Sequence, residues 1–200
     1  MQAKINTESE QFHDIIQINQ TDSYVNLVYK TLNALFWKNR YCKQASWLIK
    51  SDTDVMVNAF VMSRFLKNLI TDFLCRMNKA LRVCRGKRCI SKWVVSRNEY
   101  PHDFYPPYCD GPAYAVTSRM SANLLSAANK THPLFIEDAY FTGVLAQRFN
   151  PSYTKLGSLL FRTSPNRDIK NSLFIFCDKK KHISCAGAWR RIMLHHNSTF

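Results

Sequence analysis

Asp52-Thr53-Asp54 places two carboxylates two positions apart at the end of an apolar run. In extended backbone, alternate side chains face the same way about 7 Å apart, so both can address one site. A hard divalent cation asks for oxygen ligands, and magnesium or manganese commonly takes one or two carboxylates together with substrate phosphates. Three later segments could join such a site. Gly111 opens a predicted turn, Gly111-Pro112-Ala113, where backbone without a side chain can approach a ligand closely. Glu137-Asp138 begins a helical stretch and offers a general base able to accept a hydroxyl proton. His182, after Lys179-Lys180-Lys181, offers an imidazole for the same metal. Taken singly, each has a bland explanation: a solvated turn, an ordinary glycine turn, helix N-terminal capping and a surface histidine.

Such side chains act together only if the chain brings them together. Asp14–Ile18 reads as a short buried strand, and apolar spacing predicts a helix from Tyr24 to about Asn39, with Asp22 or Ser23 as N-cap. Ser46–Lys50 is β-like and runs directly into the aspartate pair. A second amphipathic helix is predicted from Asn58 to Phe73, then a basic loop over 75–92, a strand at Trp93-Val94-Val95 and a proline-rich ordered loop from Tyr100 to Asp110. Tyr114-Ala115-Val116 reads as a strand, Met120–Ala128 and Asp138–Arg148 as helices, and Leu173–Phe176 as a further strand. Strands alternating with helices predict an α/β fold with a mostly parallel sheet covered on both faces. Ligands in such folds gather at the carboxyl ends of the strands.

Composition narrows the field. Two hundred residues, 46% of them hydrophobic, suffice for one packed domain and are too apolar for disorder. A formal charge of +14 points to anionic company: nucleic acid, an acidic membrane or phosphate-bearing molecules. Arg82, Arg85, Lys87 and Arg88 cluster near Trp93 without the interleaved aromatics of a base-stacking surface, so no nucleic-acid partner is expected. Phosphate-binding Gly-x-x-x-x-Gly-Lys, nucleophilic Gly-x-Ser-x-Gly and zinc-binding His-Glu-x-x-His motifs are all missing. The cysteines number seven, an odd count that leaves at least one thiol unpaired within the chain, and none forms a Cys-x-x-Cys pair. Asn19, Asn129 and Asn197 each begin a glycosylation sequon, relevant only in the secretory pathway. No apolar run reaches the roughly 18 residues of a membrane span, and Met1-Gln2-Ala3-Lys4 does not begin a signal peptide.

Longer runs tie the chemical segments together. Glu8-Ser9-Glu10-Gln11-Phe12-His13-Asp14-Ile15-Ile16, Asp22-Ser23-Tyr24 with Asn26-Leu27, and Lys30-Thr31-Leu32 resemble the β-1,3-galactosyltransferase family of Golgi hexosyltransferases. So do Lys50-Ser51-Asp52-Thr53-Asp54-Val55-Met56-Val57-Asn58, Trp93-Val94-Val95-Ser96, Glu99-Tyr100-Pro101, Tyr105-Pro106-Pro107-Tyr108-Cys109 with Gly111, and Glu137-Asp138-Ala139-Tyr140 with Gly143. The resemblance spans about residues 8–150 and extends more loosely to Trp189. It implies a glycosyltransferase A-type, Rossmann-like mixed sheet flanked by helices. The whole of 1–200 would then be a single partial catalytic domain, incomplete at its N-terminal side.

The implied activity is inverting transfer of galactose or N-acetylglucosamine from a UDP-sugar to a glycan hydroxyl. By this resemblance Asp54 is the direct manganese (or magnesium) ligand, Asp52 contacts the ribose or the metal shell, and His182 completes the metal site. Gly111 approaches the donor sugar, Asp138 is the catalytic base and Glu137 supports it. Cys42 and Cys109 stand where family cysteines form disulfides. UDP-galactose or UDP-N-acetylglucosamine and an acceptor glycan are the implied partners. The implied location is the Golgi lumen, with membrane association through an N-terminal anchor that these residues do not include. Two departures stand out: Thr53 replaces a central acid, and Pro112-Ala113 stiffens a glycine-rich turn. With the incomplete domain, they keep open an alternative role as a catalytically impaired paralogue or truncated isoform that serves as a binding subunit.

Overall fold

The computed structural model describes residues 1–157, 161–162, 169–177 and 184–197. Its helices are α1 (Gln2–Phe12), α2 (Leu27–Tyr41), α3 (Ala59–Leu66), α4 (Ser118–Ala128), α5 (Glu137–Ala139) and α6 (Cys185–Asn197). Its strands are β1 (Trp47–Ser51), β2 (Val55–Val57), β3 (Phe73–Asn78), β4 (Tyr108–Thr117), β5 (Tyr153–Lys155), β6 (Phe161–Arg162) and β7 (Phe174–Phe176). They form a four-stranded sheet ordered β1-β4-β3-β5 and a three-stranded sheet ordered β2-β7-β6.

The larger sheet is mixed, and the expected parallel majority is not there. β4 runs antiparallel to both β1 and β3, and only β5 lies parallel to β3. A parallel β3–β4 pair would need a crossover, usually a helix. The 79–107 connection instead contains only a 3-10 turn at Ser91–Trp93 and irregular chain. The sheet is nonetheless covered on both faces, as expected. Alternation along β3 and β4 sends Phe73, Cys75, Tyr114 and Val116 into one core, with Val28 and Leu35 of α2 and Met120 and Leu124 of α4. Leu74, Ala113 and Ala115 enter the other, with Met62 and Leu66 of α3 and Phe174 of β7.

Five predicted elements change. Asp14–Ile18 is not a strand: nothing pairs with it, Ile16 is exposed, and Gln17 bonds back to Gln2 at 2.8 and 3.0 Å. The helix starting after Asn58 ends at Leu66 rather than Phe73. Thr71 and Asp72 are tied to Ser152, and Phe73-Leu74-Cys75, buried on both faces, are the first residues of β3. That strand also takes the first residues of the predicted 75–92 loop. Trp93-Val94-Val95 forms no strand: Trp93 and Val94 N–H donate locally to Ile90 O and Ser91 O, and Val95 N–H donates to Cys84 O at 2.9 Å. Gly111-Pro112-Ala113 lies inside β4 rather than in a turn.

Disulfides join Cys75 to Cys109, Cys84 to Cys89 and Cys177 to Cys185. Cys42 is unpaired, so of the two cysteines singled out by the resemblance only Cys109 is in a disulfide. Asn19 and Asn129 of the first two sequons are exposed, while Ser198 and Thr199 of the third lie outside the described residues. Among the described residues no helix is long and apolar enough to cross a membrane.

Candidate active site

A cleft of about 640 Å³ collects Lys50 and Asp52 from the end of β1, Asp110 and Gly111 from β4, and Glu137 and Asp138 from α5. β4 makes this possible by bulging. Its register against β3 slips between Cys109 and Tyr114, which releases Asp110–Ala113 from regular pairing on that side. Asp52 N–H donates to Pro112 O at 2.8 Å, docking the aspartate beside the bulge.

Asp138 is set against Gly111 from the other side. A methyl group built on Gly111 would stand 2.8 Å from Asp138 Oδ2, so only glycine leaves the carboxylate where it is. Backbone bonds fix its height: Thr142 Oγ1 donates to Asp138 O at 2.6 Å and accepts from Cys109 N–H at 2.8 Å. Thr142 belongs to a π-helical turn, Tyr140–Leu145, that continues α5, a distortion often found at functional sites. Gly143 lets that turn press against Tyr108 and Pro106, where an added Cβ would sit 3.0 and 3.2 Å from their side chains.

Glu137 is almost fully buried, and three groups hold it. Thr31 and Tyr114 hydroxyls donate to Oε1 at 2.9 and 2.8 Å, and Lys50 Nζ lies 3.6 Å from Oε2. Lys50 also reaches Asp52 Oδ1 at 2.6 Å and Gly111 O at 2.5 Å. Burial disfavours its charge, yet Glu137 and Asp52 outweigh that and hold its pKa above the ordinary lysine value. Tyr114, buried and facing Glu137, is held well above the usual phenol range. Asp138 behaves oppositely to an exposed acid. Burial and the neighbouring Glu137 charge, with a smaller push from Asp110, outweigh Lys50 and the Ala139 N–H and raise it to about 7.

Asp52, Gly111, Glu137 and Asp138 therefore share one cleft. Asp54 does not line it: its side chain is exposed on the turn into β2, while its carbonyl accepts from Cys177 N–H at 2.6 Å. His182 lies outside the described residues. Among the described residues no group of three His, Cys, Asp or Glu is arranged to hold a metal ion.

Lys50 escaped the motif-based reading although the pleat pointed to it, since two residues before Asp52 on one strand is the same face. Thr31 lies on the core-facing stripe of α2 and in the Lys30-Thr31-Leu32 run, neither of which marks it as a partner of Glu137. Asp110, paired with Arg76 and bonded by Asn78 Nδ2 at 3.3 Å, had no signal in spacing at all.

Residues 1–156 match the family model described as Galactosyltransferase. The chain belongs to the galactosyltransferase family. Among curated relatives, human beta-1,3-galactosyltransferase 5 is 30% identical over 164 residues, covering 78% of this chain and 50% of that protein. Its mouse counterpart is 32% identical over 149 residues, 70% of this chain and 46% of that protein. Human beta-1,3-galactosyltransferase 2 is 31% identical over 160 residues, 76% of this chain and 37% of that protein. The chain thus spans about half or less of the galactosyltransferases it matches. A solved glycosyltransferase involved in glycosylation of the PBCV-1 major capsid overlays 92% of this chain and 89% of its own. At 12% identity and a TM-score of 0.40 that overlay is too loose to bear on the argument.

Proposed function

We propose that this chain carries the catalytic base and the metal-binding edge of an inverting β-1,3-galactosyltransferase using UDP-galactose and a glycan acceptor. The observation carrying the reading is that Asp52 and Asp138, far apart in sequence, line one cleft with Gly111 between them. Family membership and the names of the relatives favour galactose over N-acetylglucosamine as the sugar moved.

Asp138 suits a base at neutral pH. A carboxylate poised near 7 is largely deprotonated there, yet basic enough to take a proton from an attacking alcohol. In the proposed step the acceptor hydroxyl loses its proton to Asp138 and its oxygen bonds to the anomeric carbon. The bond from that carbon to the UDP oxygen breaks, and UDP leaves with the electron pair. Glu137 holds Lys50, and Lys50 holds both Asp52 and the Gly111 carbonyl, so the buried carboxylate orients the cleft without touching substrate.

Asp52 and Asp54 are hard oxygen donors that suit magnesium or manganese, which readily complete their shells with substrate phosphates and water. These two would hold the cation, with His182 as a further ligand. A bound cation would stabilise charge developing on the departing diphosphate. The three disulfides favour an oxidising compartment, in keeping with a lumenal Golgi location.

Titrating UDP into the chain with and without manganese tests the binding half, and a cation-dependent affinity is expected. Following galactose transfer and UDP release with Asp138→Asn as control tests the chemistry. Transfer that disappears in the variant while UDP still binds supports the base assignment. UDP binding with no transfer from the unmodified chain would instead make it a binding subunit.

A further inference from the structure

Four carboxylates line the cleft, Asp52, Asp110, Glu137 and Asp138, against the cations Lys50 and Arg76 among them, and a separate basic cluster borders it. Arg82 and Lys92 also line the cleft, and Cys84, beside them, roots a small loop that closes through its disulfide to Cys89. Within that loop Arg85 faces the body of the protein, donating to the carbonyls of Val95 at 2.8 Å and His102 at 2.6 Å. Lys87 and Arg88 are left exposed on a knuckle pinned at both ends. Among the described residues Arg82, Lys87, Arg88 and Lys92 form no ion pair with a carboxylate. Beside them lies an aromatic surface: Tyr24 and Trp93 are both more than a third exposed, and Lys92 Nζ sits 5.0 and 5.4 Å from their ring centres.

We propose that the acceptor is an acidic glycan, with its pyranose against Trp93 and Tyr24 and its sulfate or carboxylate on the rim of Arg82, Lys92, Lys87 and Arg88. The proposal rests on the transferase reading of the same cleft. Charge separation across the cleft sets the acceptor's orientation. Lys50 and Arg76 offset only part of the negative charge of Asp52, Asp110, Glu137 and Asp138, so an anionic group is repelled there and attracted to the rim, which leaves the uncharged hydroxyl end to reach the base. The aromatic pair supplies apolar faces for sugar C–H groups and holds Lys92 between them. A membrane surface fits less well, because two of the cations and both rings face into a cleft rather than onto a flat surface.

The test measures binding to the full chain of a tetrasaccharide carrying one sulfate and of its unsulfated twin, at two salt concentrations. Lys92→Gln and the double variant Lys87→Gln/Arg88→Gln are measured alongside. The sulfated sugar should bind more tightly, and the preference should shrink with salt. Each removed charge should weaken only the sulfated sugar, by roughly two- to fivefold as for an exposed ion pair. Equal affinity for the two sugars overturns the proposal. So does an unchanged sulfate preference in both variants, or adsorption to phosphatidylserine vesicles without sulfated-sugar binding. UDP is titrated in parallel. Variants that weaken UDP rather than the sugar overturn the proposal by assigning the rim to the donor phosphates. Failure of the unmodified chain to bind UDP, with sulfate selectivity intact, overturns the transferase reading and supports the rim as an acidic-glycan site.

Discussion

Glu137 and Asp54 are both acidic residues of the proposed site, and the fold treats them in opposite ways. Glu137 is 3% exposed and fastened by Thr31, Tyr114 and Lys50 before any ligand arrives. Asp54 is exposed on a turn, with only its backbone engaged. The first is part of the scaffold, and the second leaves its carboxylate in water. A buried carboxylate needs partners within the protein because desolvation would otherwise neutralise or expel it. An exposed one stays charged in water and is available to a cation.

Removing Glu137 should give the largest effect. Glu137→Ala leaves the buried Thr31 and Tyr114 hydroxyls without their acceptor and Lys50 with Asp52 as its one carboxylate, a loss of about 2–4 kcal/mol. Denaturant unfolding should show a lower midpoint with an unchanged slope. Next, Asp138→Asn should reduce galactose transfer about 10²–10⁴-fold, the usual worth of a general base. Its thermal stability should also respond to pH differently. Asp138 is raised from the ordinary carboxyl value to about 7, so the folded chain holds the proton more tightly than the unfolded one. Its contribution is fully present below about pH 4 and is lost as pH rises through about 7. Wild-type melting temperature should therefore fall across that window, and the asparagine variant should flatten this component.

Gly111→Ala should move Asp138 without removing it. The new methyl group would meet Oδ2 at 2.8 Å, and displacement of a reacting group by an ångström can cost about 10²-fold. Here kcat should drop while UDP affinity and folding change little. Smallest in stability is Asp54→Ala, within about 0.5 kcal/mol for an exposed side chain without partners to lose. Its effect should appear in manganese-dependent UDP titration instead. A stability loss as large as that of Glu137→Ala would end the contrast between the two acids.

Much of the framework was readable before any coordinates. Helix α2 declared itself through the 3–4 spacing of Val28, Thr31 and Leu35, and β1 and β7 through short apolar runs. The failures share a cause. Asp14–Ile18 had the composition of a strand but no neighbour to pair with, and strand formation depends on a partner that local sequence does not contain. Phe73 closed a predicted helix and Cys75 opened a predicted loop, yet with Leu74 they begin an interior strand, because its hydrogen bonds are made with β4 and β5. Antiparallel direction followed from the 79–107 connection, which contains no crossover helix despite its length.

By itself the sequence determined the family and the identity of the acids: which residues are available, in what order, and with what neighbours along the chain. Only the tertiary structure decided their environments. It bulged β4 so that Gly111 meets Asp138, turned Asp52 toward the cleft while leaving Asp54 in water, and placed Lys50 between Asp52 and Glu137. The reason is physical. Charge and proton affinity depend on burial and on through-space neighbours, and those are properties of packing between distant segments rather than of local spacing.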